Sequence, residues 1–479
     1  MKRLVWLAAH LALGLTANAQ NWKACGLGTI GPTAVQTLYG DSVSDRLLAA
    51  GSFLYIKNAY DTVLSVGQAA WNGSRWDSLA HRVQAITGNT AQPTHWFLRF
   101  ESDLYTCGRW GFHVEPDTNN AALARLNETT MRWEALECLN PTFGGLSTLV
   151  PKEPQGTLYA TGYTGSICGY PESCVFRYDG SAFHIWEPFE QIPAESDNYV
   201  GSIFEFQGLT YMTGSYQDPL STGNSTFMRF DGTSWEYVPG WNTQSPIKEI
   251  SIHNDTLYVA GAFRESQGGP GNLIAGFDGE NWFTLGSGLL YPAAPPSSVA
   301  FDIEWFHGEL YVSGLFREAG GVHVESIAKW DGHQWCGLME TVEGNGIWSY
   351  ATITDMTIWR DSLYICGGFS MIDGDTIRNV AQWIGGDYTA NCSSVGLAVH
   401  QPLTPFSVAP NPASTNITLQ GMPPTATALV VFDLFGRTVL RSNEPTKVLN
   451  VESLPIGTYM VRVHDAQHQP LGLARFVRY

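Results

Sequence analysis

The sequence has few charged side chains, and few basic ones in particular. Asp, Glu, Lys and Arg make up 15% of the 479 residues, and 44 acidic side chains face only 26 basic ones, so the formal net charge is −18. A surface of that sign repels phosphate backbones and anionic lipid, so we expect neither nucleic acid nor a lipid surface as a partner. Because 44% of the residues are apolar, a large core can still form, which excludes wholesale disorder.

Sequence motifs of common catalytic and metal sites are also missing. The chain has no HExxH, no P-loop, no GxSxG, no GxGxxG that opens a helix, and no Cys/His cluster at zinc spacing. One short acidic turn, Asp373-Gly374-Asp375, cannot supply the roughly six to eight oxygens that calcium takes. We therefore expect no metal and no cofactor, and we favour a protein without catalytic activity.

A long apolar run occurs only at the N-terminus. Lys2 and Arg3 precede the run 4–15, and Ala17-Asn18-Ala19 fits the small-x-small pattern of a cleavage site. These features predict a secretory signal peptide over residues 1–19. No later stretch approaches the ~18 apolar residues that a membrane-spanning helix needs, so we expect no transmembrane segment.

The cysteines agree with an exported chain. There are eight, an even number, as expected in an oxidising compartment. Cys168 and Cys174 flank a turn-rich segment that one disulfide could close. Eight cysteines allow about 105 pairings, so further pairs need a structural argument.

Aromatic residues and turn formers are abundant. Phe, Trp and Tyr reach 13%, beside 50 Gly and 25 Pro, which favours an all-β fold. A Leu-Tyr-x-x-Gly phrase recurs seven times, at steps of about 50 residues. Its glycines are Gly51, Gly108, Gly162, Gly214, Gly261, Gly314 and Gly367.

A second phrase, a turn followed by Trp, trails the first by about 20 residues. Its clearest copies end at Trp235, Trp282 and Trp335, each after Asp-Gly. Asp-Gly between apolar runs indicates a hairpin whose two central residues take positive φ. Four short strands per unit, repeated seven times, predict a seven-bladed β-propeller over residues 20–393, in which each blade covers its neighbours.

The last repeat is incomplete, and the start of the mature chain can complete it. Asn21-Trp22 resembles Asn281-Trp282 of the fourth strand in the fifth unit. We expect residues 21–25 to pair into the seventh blade beside residues 379–392. Cys25 and Cys392 would then be neighbours, and a disulfide between them would close the ring.

These phrases resemble kelch-type propellers, including the central-domain class of galactose oxidase. The shared elements are the Leu-Tyr strand, Gly-Gly pairs such as Gly320-Gly321 and the trailing Trp. The resemblance specifies a fold rather than an activity, since propellers support many functions.

The composition changes after a linker, residues 394–407. Residues 408–479 hold six basic and four acidic side chains and residues 1–19 hold two basic ones, so residues 20–407 carry a net charge of −22. Alternating strands near 415–420, 428–433, 437–441, 447–451, 458–464 and 471–478 predict a small Ig-like β-sandwich.

This tail is similar to the type A C-terminal sorting domain of the type IX secretion system of Bacteroidetes. The resemblance implies export through that machinery, as a partner, to the cell surface or the medium. It leaves open whether the tail is removed afterwards. The matching positions include Pro410, Asn411, Pro412, Asp433, Gly436, Arg437, Leu454, Gly457 and Tyr459.

Binding residues are expected on the long loops, which strand alternation places on one face of the disc. Aromatic side chains in these loops suit sugar faces or protein anchors, although in a chain so rich in aromatics we expect any one of them to fill a gap between blades more often than to bind a ligand. We favour an exported binding or adhesion protein for a glycan or protein ligand. The alternatives are a secreted carbohydrate-active or galactose-oxidase-like enzyme and a structural surface or matrix component. The candidate aromatics are Trp110, Tyr170, Tyr216, Trp241, Tyr291, Trp348 and Tyr350.

Overall fold

Antiparallel strands make up nearly all regular structure in the computed structural model, which confirms the all-β prediction. Among the described residues the one helical element is a 3-10 turn, Glu265–Gln267. The predicted signal peptide, Cys168 and Cys174 lie outside the residues that the structure describes. The structure describes residues 21–31, 33–79, 83–85, 96–114, 120–136, 144–152, 157–164, 175–179, 182–185, 199–220, 224–291, 298–346, 350–385, 392, 406–433, 438–442, 446–464 and 470–479.

Seven sheets, numbered here in chain order, each contain four consecutively paired antiparallel strands in the described part of the chain, and the fourth strand of sheet 7 comes from the N-terminal segment. The short strand Val83–Ala85 joins the second sheet as a fifth member. Their strands are Ala34–Asp41, Arg46–Ser52, Gln68–Trp71 and Trp76–Ser78 in sheet 1; Trp96–Phe100, Asp103–Val114, Asn120–Asn127 and Arg132–Ala135 in sheet 2; Gly144–Lys152, Thr157–Thr164, Val175–Tyr178 and Phe183–Ile185 in sheet 3; Tyr199–Phe206, Leu209–Gln217, Asn224–Phe230 and Trp235–Tyr237 in sheet 4; Ile247–His253, Thr256–Gly261, Ile274–Phe277 and Trp282–Phe283 in sheet 5; Val299–Phe306, Glu309–Leu315, Ile327–Trp330 and Trp335–Gly337 in sheet 6; and Ile353–Trp359, Ser362–Gly367, Val380–Trp383 and Trp22–Ala24 in sheet 7.

The sheets are arranged in a circle. The first strand of each sheet contacts the inner strands of the next sheet, and that of sheet 7 contacts that of sheet 1. The apolar clusters lie between neighbouring sheets: one joins sheets 6 and 7, another sheets 7 and 1, and others sheets 5 and 6, 4 and 5, and 1 and 2. The arrangement is therefore propeller-like, and at these five interfaces of the described chain one sheet buries the apolar face of the next.

Close packing explains the repeated glycine. In the sixth sheet the first strand has a bulge between Ala300 and Asp302, opposite Gly314. A Cβ on Gly314 would lie 2.2 Å from the carbonyl oxygen of Val299. No side chain fits at that distance, so the repeat phrase must end in glycine. The same approach, at 2.0–2.3 Å, occurs at Gly51, Gly214, Gly261 and Gly367.

The Asp-Gly turns differ from the expected geometry. Gly332 has φ 97°, but Asp331 precedes the two central residues and accepts hydrogen bonds from the backbone N–H groups of His333 and Gln334, both at 2.8 Å. The prediction that Asp and Gly both take positive φ is therefore wrong here, because the Asp side chain organises the turn instead. Two consecutive positive φ values occur in the first-to-second-strand turns, as at Asn254 and Asp255.

The N-terminal segment completes the seventh sheet, as predicted. Trp22 pairs with Trp383, and their rings pack edge to face at 4.8 Å. Trp22 Nε1 donates to the carbonyl oxygen of Leu338, just beyond the fourth strand of sheet 6, at 2.9 Å. The equivalent tryptophans in other sheets also bond to the preceding sheet: Trp76 to Cys25, Trp282 to Pro239 and Trp335 to Leu285, all at 2.7 Å.

The C-terminal region forms two smaller sheets around a separate apolar cluster. Six of its strands lie within about two residues of the predicted positions, whereas the strand Ser407–Ala409 was not predicted and begins at the end of the predicted linker. The strands are Ser407–Ala409, Asn416–Gln420 and Val448–Asn450 in one sheet, and Thr438–Ser442, Ala428–Asp433, Gly457–His464 and Pro470–Arg478 in the other.

Candidate functional site

Small additional sheets cover one end of the ring, where the connections between sheets and the second-to-third-strand loops meet. Leu289–Leu290 pairs with Glu318–Ala319, and Val342–Gly344 pairs with Phe369–Ile372. In sheet 1 the hairpin of Tyr55–Lys57 and Thr62–Leu64 pairs with residues 27–30. Hydrogen bonds therefore hold these long loops in fixed positions, and we call this end the loop face.

A polar and aromatic group lies on the loop face of sheet 6. Arg317 N donates to the carbonyl oxygen of Leu290 at 2.9 Å, which brings Arg317 beside Tyr291. The guanidinium carbon lies 6.0 Å from the centre of the tyrosine ring. Arg317 also forms an ion pair with Glu325, whose side chain is only 6% exposed.

His323 completes this group, which we name the sheet 6 cluster: Tyr291, Arg317, His323 and Glu325. His323 Nε2 lies 3.0 Å from Glu325 Oε1, and the histidine side chain is 65% exposed. The buried carboxylate of Glu325 thus binds both nitrogen-bearing side chains, and Arg317 lies beside the half-exposed ring of Tyr291. Such a surface can stack on a sugar ring and offer hydrogen-bond donors to its hydroxyl oxygens.

Two of the predicted aromatics are not exposed. Tyr216 is fully buried, and its hydroxyl donates to the carbonyl oxygen of Met212 at 2.9 Å. Trp241 is 9% exposed and packs between Phe263 and Trp282. The expectation that these two rings are available on the loop face is wrong, because they fill the apolar interior instead.

The other predicted aromatics are either half-buried or outside the described residues. Tyr291 and Tyr350 are half-buried. Tyr170, Trp348 and the side chain of Trp110 lie outside the described residues. Tyr60, at the tip of the sheet 1 hairpin, is fully exposed and was not predicted.

A group of carboxyl side chains, unnoticed in the sequence, lies on the inner strands. Glu249, Asp302 and Asp355 occupy the same position in three successive sheets, directly after the bulge of the first strand. Glu304 lies two residues beyond Asp302. The signal was present in the repeat, since each acid of the three precedes the repeated glycine by twelve residues.

Two of these carboxyl groups bond to backbone N–H groups of neighbouring inner strands. Asp302 Oδ2 accepts a hydrogen bond from Met356 N in sheet 7, and Asp355 Oδ2 accepts one from Leu38 N in sheet 1, both at 2.6 Å. The inner strand is the edge of its sheet, so its outward N–H groups need partners from elsewhere. The acids therefore link neighbouring sheets.

At neutral pH, burial and the charge of Asp302 keep Glu249, Glu304 and Asp355 largely protonated. Burial, with the charge of Asp302, raises the pKa of Glu249 to about 8, and burial with the charges of Asp302 and Glu249 raises the pKa of Glu304 to about 8. Burial raises the pKa of Asp302 to about 6. Burial and the charge of Asp302 together raise the pKa of Asp355 well above its usual range. Asp355 shares a hydrogen bond with Asp302, so the two carboxyl groups are in contact.

The predicted disulfide between Cys25 and Cys392 is wrong. Cys392 is bonded to Cys336, in the outer strand of sheet 6, and Cys25 is a buried free thiol. Cys25 N donates to the carbonyl oxygen of Val380, so Cys25 lies within sheet 7. Cys392 instead forms a bridge with Cys336 at the edge of the neighbouring sheet.

Residues of the predicted sorting motif stabilise the C-terminal region. The Asn411 side chain donates to the carbonyl oxygen of Arg475 and accepts from Val477 N, which fastens the last strand. The Tyr459 hydroxyl donates to the carbonyl oxygen of Pro455 at 2.7 Å, and its ring stacks on Phe476.

The remaining positions of the motif have simpler placements. Leu454 is buried, Asp433 ends a strand and Gly457 begins one. Pro410 and Pro412 flank Asn411 and follow cis peptide bonds. Gly436 and Arg437 lie outside the described residues.

Two kinds of feature are not found in the described part of the chain. No group of three or more His, Cys, Asp or Glu side chains there could hold a metal ion. No helix there is long and apolar enough to cross a membrane.

Residues 407–471 match the family described as "Secretion system C-terminal sorting domain". The chain is therefore exported, to the cell surface or the medium, and interacts with the secretion machinery through this domain. No curated protein matches the chain.

Solved structures of low identity resemble the chain. They include PorZ, a surface component of the type IX secretion system of Porphyromonas gingivalis (12% identity, TM-score 0.39, 91% of this chain and 58% of that one). Two others are extracellular domains of B. thetaiotaomicron: BT3049, a putative hybrid two-component system (12%, 0.44, 93% and 53%), and BT4673, a putative one-component system (9%, 0.44, 96% and 59%). The chain thus spans little more than half the length of these proteins, and with TM-scores below 0.5 we draw no functional argument from them.

Proposed function

We propose that this protein is an exported binding protein in which residues 20–393 form a kelch-like ring of seven blades. After the linker 394–407, residues 408–479 serve as its export signal. The sheet 6 cluster on the loop face binds a glycan. The observation that carries this proposal is the Tyr291 ring beside Arg317, which the buried carboxylate of Glu325 holds in place.

The geometry of the cluster supports recognition of a sugar. A half-exposed tyrosine ring provides a face for the apolar side of a pyranose, and such contacts contribute roughly 0.5–1.5 kcal/mol beyond buried area. Arg317 and His323 add donors whose positions are fixed before binding, which lowers the entropic cost of association. The loops that carry them are anchored by strand pairing, so the site is preorganised.

The test is a glycan array probed with the full mature chain, followed by calorimetry on the best ligand. Tyr291→Ala should weaken binding about 5- to 10-fold, the equivalent of about 1–1.4 kcal/mol. Tyr60→Ala is the matched control, because Tyr60 is a fully exposed tyrosine on another sheet. If no glycan binds, or if only Tyr60→Ala weakens binding, the assignment to the sheet 6 cluster is wrong.

A glycoside hydrolase is the second candidate, and the inner-strand carboxyl group is the observation that favours it. Glycosidases hold two carboxyl groups about 5–5.5 Å or about 6.5–9.5 Å apart. Asp302 and Asp355 instead share a hydrogen bond and bind backbone N–H groups of other sheets. That arrangement suits an inter-sheet link better than catalysis, so we rank binding first. Hydrolysis of an aryl glycoside that Glu249→Gln abolishes would reverse this order.

A further inference from the structure

One ion pair joins the C-terminal domain to the ring. Arg441 Nη1, in the strand Thr438–Ser442, lies 2.9 Å from Asp278 Oδ2 in the Asp-Gly turn of sheet 5. The other carboxylate oxygen of Asp278 accepts hydrogen bonds from the backbone N–H groups of Glu280 and Asn281. The turn therefore holds the carboxylate towards Arg441 without requiring a side-chain rearrangement.

Asp278 is covered more than its counterparts in other sheets. Its side chain is 23% exposed and that of Arg441 is 29% exposed. Asp231 and Asp331, which occupy the same position in sheets 4 and 6, are exposed residues. Gln207, in the first-to-second-strand turn of sheet 4, packs against the Asp278 turn, and its side chain donates to the carbonyl oxygen of Asp278. The turn of sheet 5 thus differs from those of sheets 4 and 6, where a Cβ on Gly232 or Gly332 would meet nothing within 4 Å.

Charge complementarity supports the contact. Residues 20–407 carry a net charge of −22 and residues 408–479 a net charge of +2. Opposite charges attract the two parts at distances within a Debye length, about 10 Å at 0.1 M salt. The ion pair is partly desolvated, so it is screened less than a fully exposed pair.

The disulfide determines where the tether to this domain begins. Cys392 is fixed to Cys336 at the outer strand of sheet 6, which neighbours sheet 5. Between Cys392 and Phe406 lie residues 393–405, which can reach at most about 45 Å at ~3.5 Å per residue. Without the disulfide the tether would begin at residue 385 in sheet 7, farther round the ring.

We propose that the sorting domain docks in cis on the acidic ring through Arg441 and Asp278, and that the Cys336–Cys392 disulfide directs it to sheet 5. The occupant of this surface is the protein's own C-terminal domain. Docking engages the Arg441 guanidinium, so this side chain is withheld from other partners while the contact is made. This inference does not depend on glycan binding.

The test uses zero-length carbodiimide crosslinking of the full mature chain in the Arg441→Lys variant. We expect an intramolecular amide between position 441 and Asp278, identified by peptide mass spectrometry. The crosslink should be lost in Arg441→Lys/Asp278→Asn and reduced in 1 M NaCl. Lys447, a native exposed lysine of the same domain, measures the background. Cys336→Ser/Cys392→Ser should lose at least about half of the yield, because the tether is longer and begins farther away.

Two outcomes would overturn the proposal. One is a 441–278 crosslink no more abundant than the Lys447 background. The other is a crosslink found only between two copies of the chain, which would make the contact an interface in trans. Should the lysine variant fail to fold, small-angle scattering of the native chain decides, since cis docking requires the radius of gyration to increase between 50 mM and 1 M NaCl. An unchanged radius would count against docking.

Discussion

Trp22→Phe should destabilise the mature protein by about 1–3 kcal/mol. The substitution keeps an aromatic ring but removes the donor to Leu338, and a buried acceptor left without a partner costs about that much. Trp22 is 1% exposed and lies in the apolar cluster between sheets 6 and 7, so Trp22→Ala should cost more, about 3–5 kcal/mol. Against a typical stability of about 5–15 kcal/mol, either loss is measurable.

The assay is denaturant unfolding followed by tryptophan fluorescence and circular dichroism. Trp335→Phe is the matched comparison, because Trp335 is buried and donates to Leu285 as Trp22 donates to Leu338. The two variants should lose similar stability. Lys23→Ala, an exposed change on the same strand as Trp22, should stay within about 0.5 kcal/mol of the native chain. If Trp22→Phe behaves like Lys23→Ala while Trp335→Phe does not, the N-terminal strand does not complete sheet 7.

Three further outcomes follow from the packing and the buried acids. Gly314→Ala should cost about 1–3 kcal/mol in the same unfolding assay, because its Cβ would meet the backbone oxygen of Val299 and backbone cannot move aside. Glu249 has a folded pKa of about 8 against 4.5 for the free group, so its contribution to stability is complete below about pH 4 and is lost as pH rises through 8. The denaturant concentration at the unfolding midpoint should therefore decrease as the pH is raised from 5 to 8. Glu249→Gln should make this decrease smaller, and an equal decrease in the variant would contradict the raised pKa of Glu249. Burial raises the pKa of the Cys25 thiol to about 12, so iodoacetamide at pH 8 should label the Cys25 peptide only after unfolding, and labelling of the native protein would place Cys25 outside the sheet.

Much of the fold could be predicted because the same backbone geometry recurs in each unit and requires the same residue types at the same positions. In five units the glycine is required by a backbone oxygen about 2 Å from where its Cβ would be, and the trailing Trp is required by an acceptor in the preceding sheet, as Trp335 is. Residues that meet the same steric or hydrogen-bonding requirement recur at the same spacing. The pairing of the N-terminal strand followed from the same likeness, because Trp22 occupies the position that Trp282 and Trp335 occupy in their sheets.

The site was predictable only in part. Tyr291 was expected on a loop, but its relation to Arg317 depends on the pairing of Leu289–Leu290 with Glu318–Ala319, which sequence spacing does not reveal. Tyr216 and Trp241 were both expected on exposed loops, but Tyr216 lies near the end of the strand Leu209–Gln217 and Trp241 turns inward, and neither difference changes the sequence pattern.

The sequence by itself determined the strand period, the repeated unit, the C-terminal sorting domain and the strongly acidic character of the ring, because each of these depends on residues near one another in the chain. Only the tertiary structure decided which cysteine meets Cys392, which acids meet between sheets and which turn meets Arg441. Those contacts join residues of different sheets or domains, and their partners are set by how neighbouring units pack in three dimensions.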